Sequence, residues 1–324
     1  MKPKGLKILL TGGAGFVGSH LAEKLLSLGS VVVNIDNFDP FYSRAVKESN
    51  MSTQICNPDY RFICSDINTP DVIVGQLAGF SPDVIIHLAA KAGVRPSILD
   101  PIGYAQTNVQ GTINMLELAR KLNVRKFIFA SSSSVYGSNP HVPWKESDLA
   151  LSPISPYASS KIGAEYFGKT YSALFGINFI ALRFFTVFGP RQRPDLAIHK
   201  FFSALTSDQP IIIYGDGSTR RDYTYVSDIV NGIVGALNRP LVPGEAKVYN
   251  LGNSDTVTLS HLVSEIEKVV GQKFSINYQP EQAGDVSQTY ADVSLAQNEL
   301  NFQPSTGLRE GLEEFYNWFR MSRP

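Results

Sequence analysis

Tyr157 and Lys161 stand at i and i+4 in the run Tyr157-Ala158-Ser159-Ser160-Lys161, so a helix there puts a phenol and an ammonium on one face. Upstream, Ser131-Ser132-Ser133-Ser134-Val135-Tyr136-Gly137 supplies hydroxyls. A tyrosine of ordinary pKa, about 10, is a poor base at neutral pH, but a neighbouring ammonium favours the phenolate. Ser132 or Ser134 would then orient a substrate hydroxyl and pass its proton, with Tyr157 as the base and Lys161 beside it. The chemistry on offer is proton removal from an alcohol. Oxidation of that alcohol also needs a hydride acceptor.

An acceptor site is written earlier in the chain. Thr11-Gly12-Gly13-Ala14-Gly15-Phe16-Val17-Gly18 follows an apolar run and opens a helical pattern, and Gly12, Gly15 and Gly18 have G-x-x-G-x-x-G spacing. Glycines so spaced permit a tight turn, bring backbone close to a pyrophosphate, and present a helix N-terminus to the anion. Asp36, 18 residues beyond Gly18 at the end of the second apolar run, should bind the adenosine ribose hydroxyls. A carboxylate there repels a 2′-phosphate, which favours NAD over NADP. With NAD bound, its oxidised nicotinamide would add to Lys161 in favouring the Tyr157 phenolate. The expected cofactor set is Gly12, Gly15, Phe16, Val17, Gly18, Asp36, Asn37, Asp66, Ile67, Leu88, Ala89, Ala90, Lys91, Asn108, Ser131, Tyr157 and Lys161. Within it Asp66 reads equally as an adenine neighbour or a helix cap, Lys91 as a ribose contact or a flank of the pocket, and Asn108 as a ligand or a surface residue.

These residues must be held by a scaffold whose rhythm is visible. Short apolar runs at Lys7 to Thr11, Val31 to Asp36, Tyr60 to Cys64, Val84 to Leu88, Lys126 to Ser131 and Asn178 to Arg183 alternate with helical patterns at Ser19 to Leu28, Tyr104 to Leu122 and Tyr157 to Phe175. Unbroken Val/Ile/Leu/Phe strands between helices imply a parallel sheet covered on both faces: an α/β, Rossmann-type doubly wound fold. After Arg183 the punctuation becomes denser in Gly and Pro, which suggests a smaller mixed domain over residues 184–324, with a segment near 222–255 returning to a first domain of residues 1–183. The stretch Asn37 to Asp59 shows no firm period, and a loop of that length is expected to border cofactor or substrate.

Composition closes off other classes. At 324 residues the chain has ample length for a core, and 29 Lys plus Arg against 29 Asp plus Glu leaves none of the basic surplus that a nucleic-acid or anionic-membrane binder carries. Cys56 and Cys64 have no metal spacing and are too few for a disulfide framework, so we expect no metal and a reducing, cytoplasmic setting. No apolar run reaches signal-peptide or membrane length.

The glycine motif, His87-Leu88-Ala89-Ala90, the SSSSVYG run, Tyr157-x-x-x-Lys161 and Arg183-Phe184-Phe185-Thr186-Val187-Phe188-Gly189-Pro190 together resemble the extended short-chain dehydrogenase/reductase family, in particular its NAD-dependent nucleotide-sugar epimerases. The resemblance extends through Gly215-Asp216-Gly217, Arg220 to Val226 and Ala283-Gly284-Asp285, which in the family line the nucleotide-sugar pocket. It implies that Arg221 binds the diphosphate, that the Phe185 backbone meets the nicotinamide, and that the protein is a homodimer through the helices at Tyr104 to Leu122 and Tyr157 to Phe175. Gln282 departs from the family, which commonly has arginine three residues before the position of Asp285.

Family members share oxidation at sugar C4. A 4,6-dehydratase would carry an Asp-Glu pair where Ser133 and Ser134 stand, so simple epimerisation is expected. Thr186 followed by G-P-R-Q-R-P-D, and Ala92-Gly93-Val94-Arg95-Pro96-Ser97, resemble UDP-glucuronate 4-epimerases. A C6 carboxylate wants a guanidinium and a hydroxyl, which Arg193 and Thr186 could supply. The expected substrate set is Arg95, Ser132, Ser134, Thr186, Arg193, Arg221 and Asp285, with Arg95 reading equally as a solvated or structural residue. UDP-glucose or UDP-N-acetylglucosamine epimerisation, UDP-glucuronate decarboxylation, and a non-catalytic NAD sensor are the alternatives.

Overall fold

Ile8, Leu9 and Leu10 are all fully buried, yet they point alternately to opposite faces, so the first strand must be covered on both sides. The computed structural model, which describes residues 5–148, 151–207, 209–282 and 284–322, shows how. Residues Met1 to Lys4 lie outside the described residues, as does Ala283 of the expected pocket segment. The first part runs β1 (Lys7–Thr11), α1 (Phe16–Ser27), β2 (Val31–Asp36), α2 (Arg44–Asn50), β3 (Tyr60–Cys64), α3 (Pro70–Gln76), β4 (Val84–His87), α4 (Val94–Leu99), α5 (Pro101–Ala105), α6 (Gly111–Lys121), β5 (Lys126–Ser132), α7 (Pro156–Phe175) and β6 (Asn178–Phe184). It continues with β7 (Thr186–Phe188), α8 (Ala197–Thr206), β8 (Ile211–Tyr214), β9 (Arg220–Arg221), β10 (Tyr223–Tyr225), α9 (Val226–Asn238), β11 (Ala246–Leu251), β12 (Val257–Thr258), α10 (Leu259–Val270), β13 (Ile276–Gln279), α11 (Ser294–Leu300) and α12 (Leu308–Met321).

Seven parallel strands form the main sheet in the order β11-β6-β5-β4-β1-β2-β3. Alternate strand residues divide between two cores. Ile8, Leu10, Ile86, Ile128 and Leu182 pack with Leu21 and Leu25 of α1 and Ile229 and Ile233 of α9. Leu9, Ile85, Phe127, Phe129 and Ala181 pack with Met115 and Leu116 of α6 and Ala164 of α7. The doubly wound expectation is met, with a seventh strand, β11, that the sequence reading had not placed. A third core, built from Phe188, Phe202, Ile213, Leu262, Ile266, Leu312, Phe315 and Phe319, holds α8, α10, α12 and the β8–β13 pair together.

Two local departures matter for the site. The Asn37 to Asp59 stretch is not all loop, because α2 lies in its middle, between an irregular first part and a run of turns before β3. The helix expected over Tyr104 to Leu122 starts earlier, at Pro101, and is interrupted by a single π turn at Gln106–Gln110. In α7, Ser155 Oγ accepts the Ala158 N–H at 3.2 Å and Pro156 takes the first turn, where its missing N–H costs nothing. Gly168 lets the helix lie directly on β6, since a Cβ there would sit 2.1 Å from the Phe179 ring.

Candidate active site

At the carboxyl ends of the parallel strands lies a cavity of about 660 Å³, the place where an open α/β sheet binds ligand. Its walls bring together Gly12, Gly15, Phe16, Val17, Gly18, Asp36, Asn37, Asp66, Ile67, Leu88, Ala89, Ala90, Lys91, Ser131, Ser132, Tyr157, Lys161, Phe185, Thr186 and Arg193. Asn108, Ser134, Arg95, Arg221 and Asp285 are not part of that lining.

The glycine turn fits an anion for steric and electrostatic reasons. Gly12 has φ of +76°, and a Cβ on it would stand 2.7 Å from the Ala89 nitrogen. A Cβ on Gly18 would stand 2.1 Å from the Gly12 oxygen, so only glycine lets α1 begin this close to β1. Gly15 caps α1 without a side-chain bond, and the first turn contains no acid, so its amides are available to a ligand. Asp36 accepts N–H bonds from Ala14 (3.1 Å) and Phe38 (2.9 Å). Burial nevertheless raises its carboxyl above the usual range, against those bonds and the Lys47 charge. Asn37 donates to Asp66 Oδ2 at 2.8 Å, while Asp66 Oδ1 takes the Asn68 N–H; the acid therefore both caps a turn and faces the cavity.

Lys161 is buried, and Tyr157 is half-buried in the cavity wall. Lys161 Nζ donates to the Ala130 carbonyl at 2.8 Å and lies 4.8 Å from the Phe129 ring centre. Burial pulls its pKa down to about 7, with Glu165 opposing. The expectation that Lys161 lowers the Tyr157 pKa is not met in the protein alone: burial raises the phenol, and what opposes it is a hydrogen bond from Ser132 and the charge of Arg193. Ser132 Oγ accepts the Ser134 N–H (3.2 Å) and the Ser134 hydroxyl (2.9 Å), which directs its own proton elsewhere. Of the two candidate serines, Ser132 faces the cavity and Ser134 stands behind it. Ser131 donates to Glu165 at 2.5 Å, and Glu165 in turn grips Arg183 through two bonds of 3.0 and 2.8 Å, which fixes the end of β5 against α7 and β6.

Asn108 is buried, and its amide clamps the Lys91 backbone, accepting from N–H at 2.8 Å and donating to C=O at 2.9 Å. It also donates to Ser160. The chain of bonds continues in a defined direction. Thr112 Oγ1 donates to the Asn108 carbonyl, so it must accept from His87 Nε2–H; neutral His87 then accepts at Nδ1 from Thr11, which accepts from the Ala89 N–H. Burial holds the His87 pKa down at about 3, consistent with that neutral form. Lys91 itself pairs with Asp100 at 2.7 Å.

Also in the lining, Arg193 makes two bonds to Asp195 (2.9 and 2.7 Å) and one to the Ala92 carbonyl (3.2 Å), with its guanidinium 5.2 Å from the Phe41 ring centre. Burial opposes its charge, but Asp195 more than compensates and holds the pKa above the usual range. Thr186, at the start of β7, belongs to the same lining. Arg95 and Asp285 bond to each other at 2.6 Å, with Arg95 also stacked on Tyr214, and burial lowers the pKa of the neighbouring Arg221. Sequence reasoning missed Tyr104, whose ring meets Tyr157 edge-on at 6.2 Å and whose hydroxyl donates to Ala92, and Phe41 and Tyr42, which cover the cavity. Tyr104 sits in a periodic helix where an aromatic reads as core; Phe41 and Tyr42 were signalled only as part of an unassigned stretch.

Residues 9–315 match the model of the GDP-mannose 4,6 dehydratase family. A UDP-glucuronate 4-epimerase of Thermodesulfobacterium geofontis is 36% identical over 96% of this chain and 95% of its own. The crystal structure of UDP-glucuronic acid 4-epimerase from Bacillus cereus, in complex with UDP-glucuronic acid and NAD, superposes with a TM-score of 0.91 at 36% identity, covering 98% of this chain and 99% of that one. A UDP-glucose 4-epimerase of Thermotoga maritima with UDP-glucose gives 0.89 at 31% identity, covering 98% and 99%. With its glycine turn, its Ser132, Tyr157 and Lys161 in one cavity and the family model matched over nearly its whole length, the chain belongs to the GDP-mannose 4,6-dehydratase family of extended short-chain dehydrogenases/reductases.

Proposed function

We propose that this protein is an NAD-dependent 4-epimerase converting UDP-glucuronate to UDP-galacturonate. The observation that carries the reading is one cavity lined together by an uncapped helix N-terminus and Asp36, by Ser132, Tyr157 and Lys161, and by Thr186 and Arg193. NAD suits the glycine turn: the glycines leave the room a pyrophosphate needs, and Asp36 would take the ribose hydroxyls while repelling a 2′-phosphate. NAD, held by the glycine turn and Asp36, would supply the hydride acceptor and donor that inversion at sugar C4 needs. Tyr157 takes the O4 proton and gives it back, Ser132 holds O4 in line, and Lys161, anchored on Ala130, supplies the local positive charge. The relatives named for UDP-glucuronate support the sugar assignment.

A 4-keto glucuronate is a β-keto acid and can lose CO₂. Thr186 and Arg193 would hold the carboxylate so that its C–C bond cannot overlap the carbonyl π system, which separates epimerisation from decarboxylation. Arg193→Ala should lower turnover of UDP-glucuronate by about 100-fold or more, as loss of a buried charged anchor does, and raise the fraction of substrate released as CO₂. Undiminished activity with unchanged products sinks the assignment of Arg193. We assign cofactor binding to residues 1–183 and sugar-nucleotide binding mainly to 184–324, with 222–255 returning; α9 packing on the α1 face and β11 pairing with β6 support this. A cytoplasmic homodimer fits the same reading; among the described residues no helix is long and apolar enough to cross a membrane.

A further inference from the structure

The loop Gly189 to Leu196 carries Arg193 into the cavity from the C-terminal side of β7, but it is fastened to α1, the helix whose N-terminus borders the glycine turn. Two contacts make the fastening. His20 Nε2–H donates to the Pro190 carbonyl at 2.9 Å, and Arg191 Nη2 pairs with Glu23 at 2.7 Å. Arg191 also reaches Ser19 Oγ at 3.4 Å, and Thr53 Oγ1 donates to the same Glu23 oxygen, Oε1, at 2.7 Å. Arg191 adopts φ of +64°, a left-handed conformation that a side chain with a Cβ enters only at a cost, so something must hold it there. The Glu23 pair, with both side chains largely shielded, is that restraint. One residue, Gln192, separates Arg191 from Arg193; it is buried and ties back to the Val187 carbonyl at 3.0 Å. A shift at Arg191 therefore reaches Arg193 through a short, packed backbone.

We propose that Arg191 is a positioning residue, whose ion pair with Glu23, together with the His20 to Pro190 bond, sets Arg193 at the sugar end of the cavity by hanging its loop on the cofactor-side helix. The inference rests on the reading of Arg193 as the carboxylate ligand. It couples the two ends of the cleft: the helix that faces the cofactor's anion also fixes the guanidinium that faces the substrate's.

The test is calorimetric titration of the NAD-loaded protein with UDP-glucuronate and, separately, with UDP, for wild type, Arg191→Ala, Arg191→Gly, Arg191→Lys and the charge reversal Glu23→Arg/Arg191→Glu. Arg191→Gly removes the ion pair while relieving the left-handed backbone, so it keeps the fold if Arg191→Ala does not. The preference for UDP-glucuronate over UDP should fall about tenfold in both, the scale of one charge-assisted contact, with UDP binding within about twofold of wild type. Arg191→Lys and the reversal should recover most of it. Hydrogen exchange supplies a second readout, with the Gln192 and Leu196 amides, bonded to Gly189 and Arg193 carbonyls, exchanging faster in the two weakened variants. Unchanged preference and unchanged exchange in Arg191→Gly overturn the proposal. A wild type that binds UDP and UDP-glucuronate alike overturns the uronate role of Arg193 instead, while faster loop exchange in the variants would still uphold the fastening.

Discussion

At the scale of single residues, environment decides what each group can do. Tyr157 and Lys161 were legible from spacing, but their pKa directions were not, because both follow from burial that only the fold creates. Burial pushes the phenol up and the ammonium down, opposing the charged form of each; the positive charge of an oxidised nicotinamide beside Tyr157 would favour the phenolate. His87 shows the same principle in a stability effect. Its pKa falls from 6.5 to about 3 on folding, so the unfolded chain binds more protons between those values, and its contribution is present above pH 6.5 and lost as pH falls. Wild type should lose stability on acidification across that window with a contribution approaching about 1.4 kcal/mol per pH unit, and His87→Asn, less stable at pH 7, should show a flatter profile by chemical denaturation. Parallel profiles would contradict the account.

At the scale of elements, the strands and helices that carry the site were readable because their periods are unambiguous: Leu9 and Ile8 already announce two covered faces. What escaped was conformational. A π turn at Gln106–Gln110 has no residue signature, yet it lies where Thr107 lines the cavity and Asn108 clamps Lys91. Asn108 therefore belongs to the site by shaping its wall, a role that spacing could not separate from that of a ligand. Likewise α2 hid in a stretch of weak period, and Arg193 was legible while its partner Asp195, two residues on, was not singled out. The glycine turn makes the sharpest prediction at this scale. Gly18→Ala forces a Cβ against the Gly12 carbonyl and should cost about 1–3 kcal/mol as overpacking does, with loss of NAD binding. Gly75→Ala in α3, where a Cβ meets nothing within 4 Å, should instead be stabilising by roughly 0.5–1 kcal/mol. Equal effects in thermal melts would show that the close approach is not what the motif is for.

At the scale of the whole molecule, zero net charge proved compatible with anionic ligands because charge is placed locally: Arg193, Lys161 and the α1 N-terminus line one cleft, with Asp195 already paired to Arg193, while Arg221 and the Arg95–Asp285 pair stand outside that lining. The outer surface of α7 carries Tyr166, Phe167 and Leu174 exposed, at 59%, 39% and 68%, beside the helix from Pro101 to Lys121. If these helices form the homodimer seam, light scattering should give twice the 35.6 kDa chain mass, and Tyr166→Arg with Leu174→Asp should give the monomer. A wild-type monomer, or an unaffected dimer in the double variant, removes that seam.

The most direct test of the central claim is to incubate the purified protein separately with UDP-glucuronate, UDP-glucose and UDP-N-acetylglucosamine, following products by NMR and evolved CO₂. The account predicts UDP-galacturonate from UDP-glucuronate with no net consumption of NAD and no CO₂, and little turnover of the neutral sugars. Conversion of a neutral sugar in preference to the uronate, pentose formation with CO₂, or NAD binding without turnover of any of the three would contradict it.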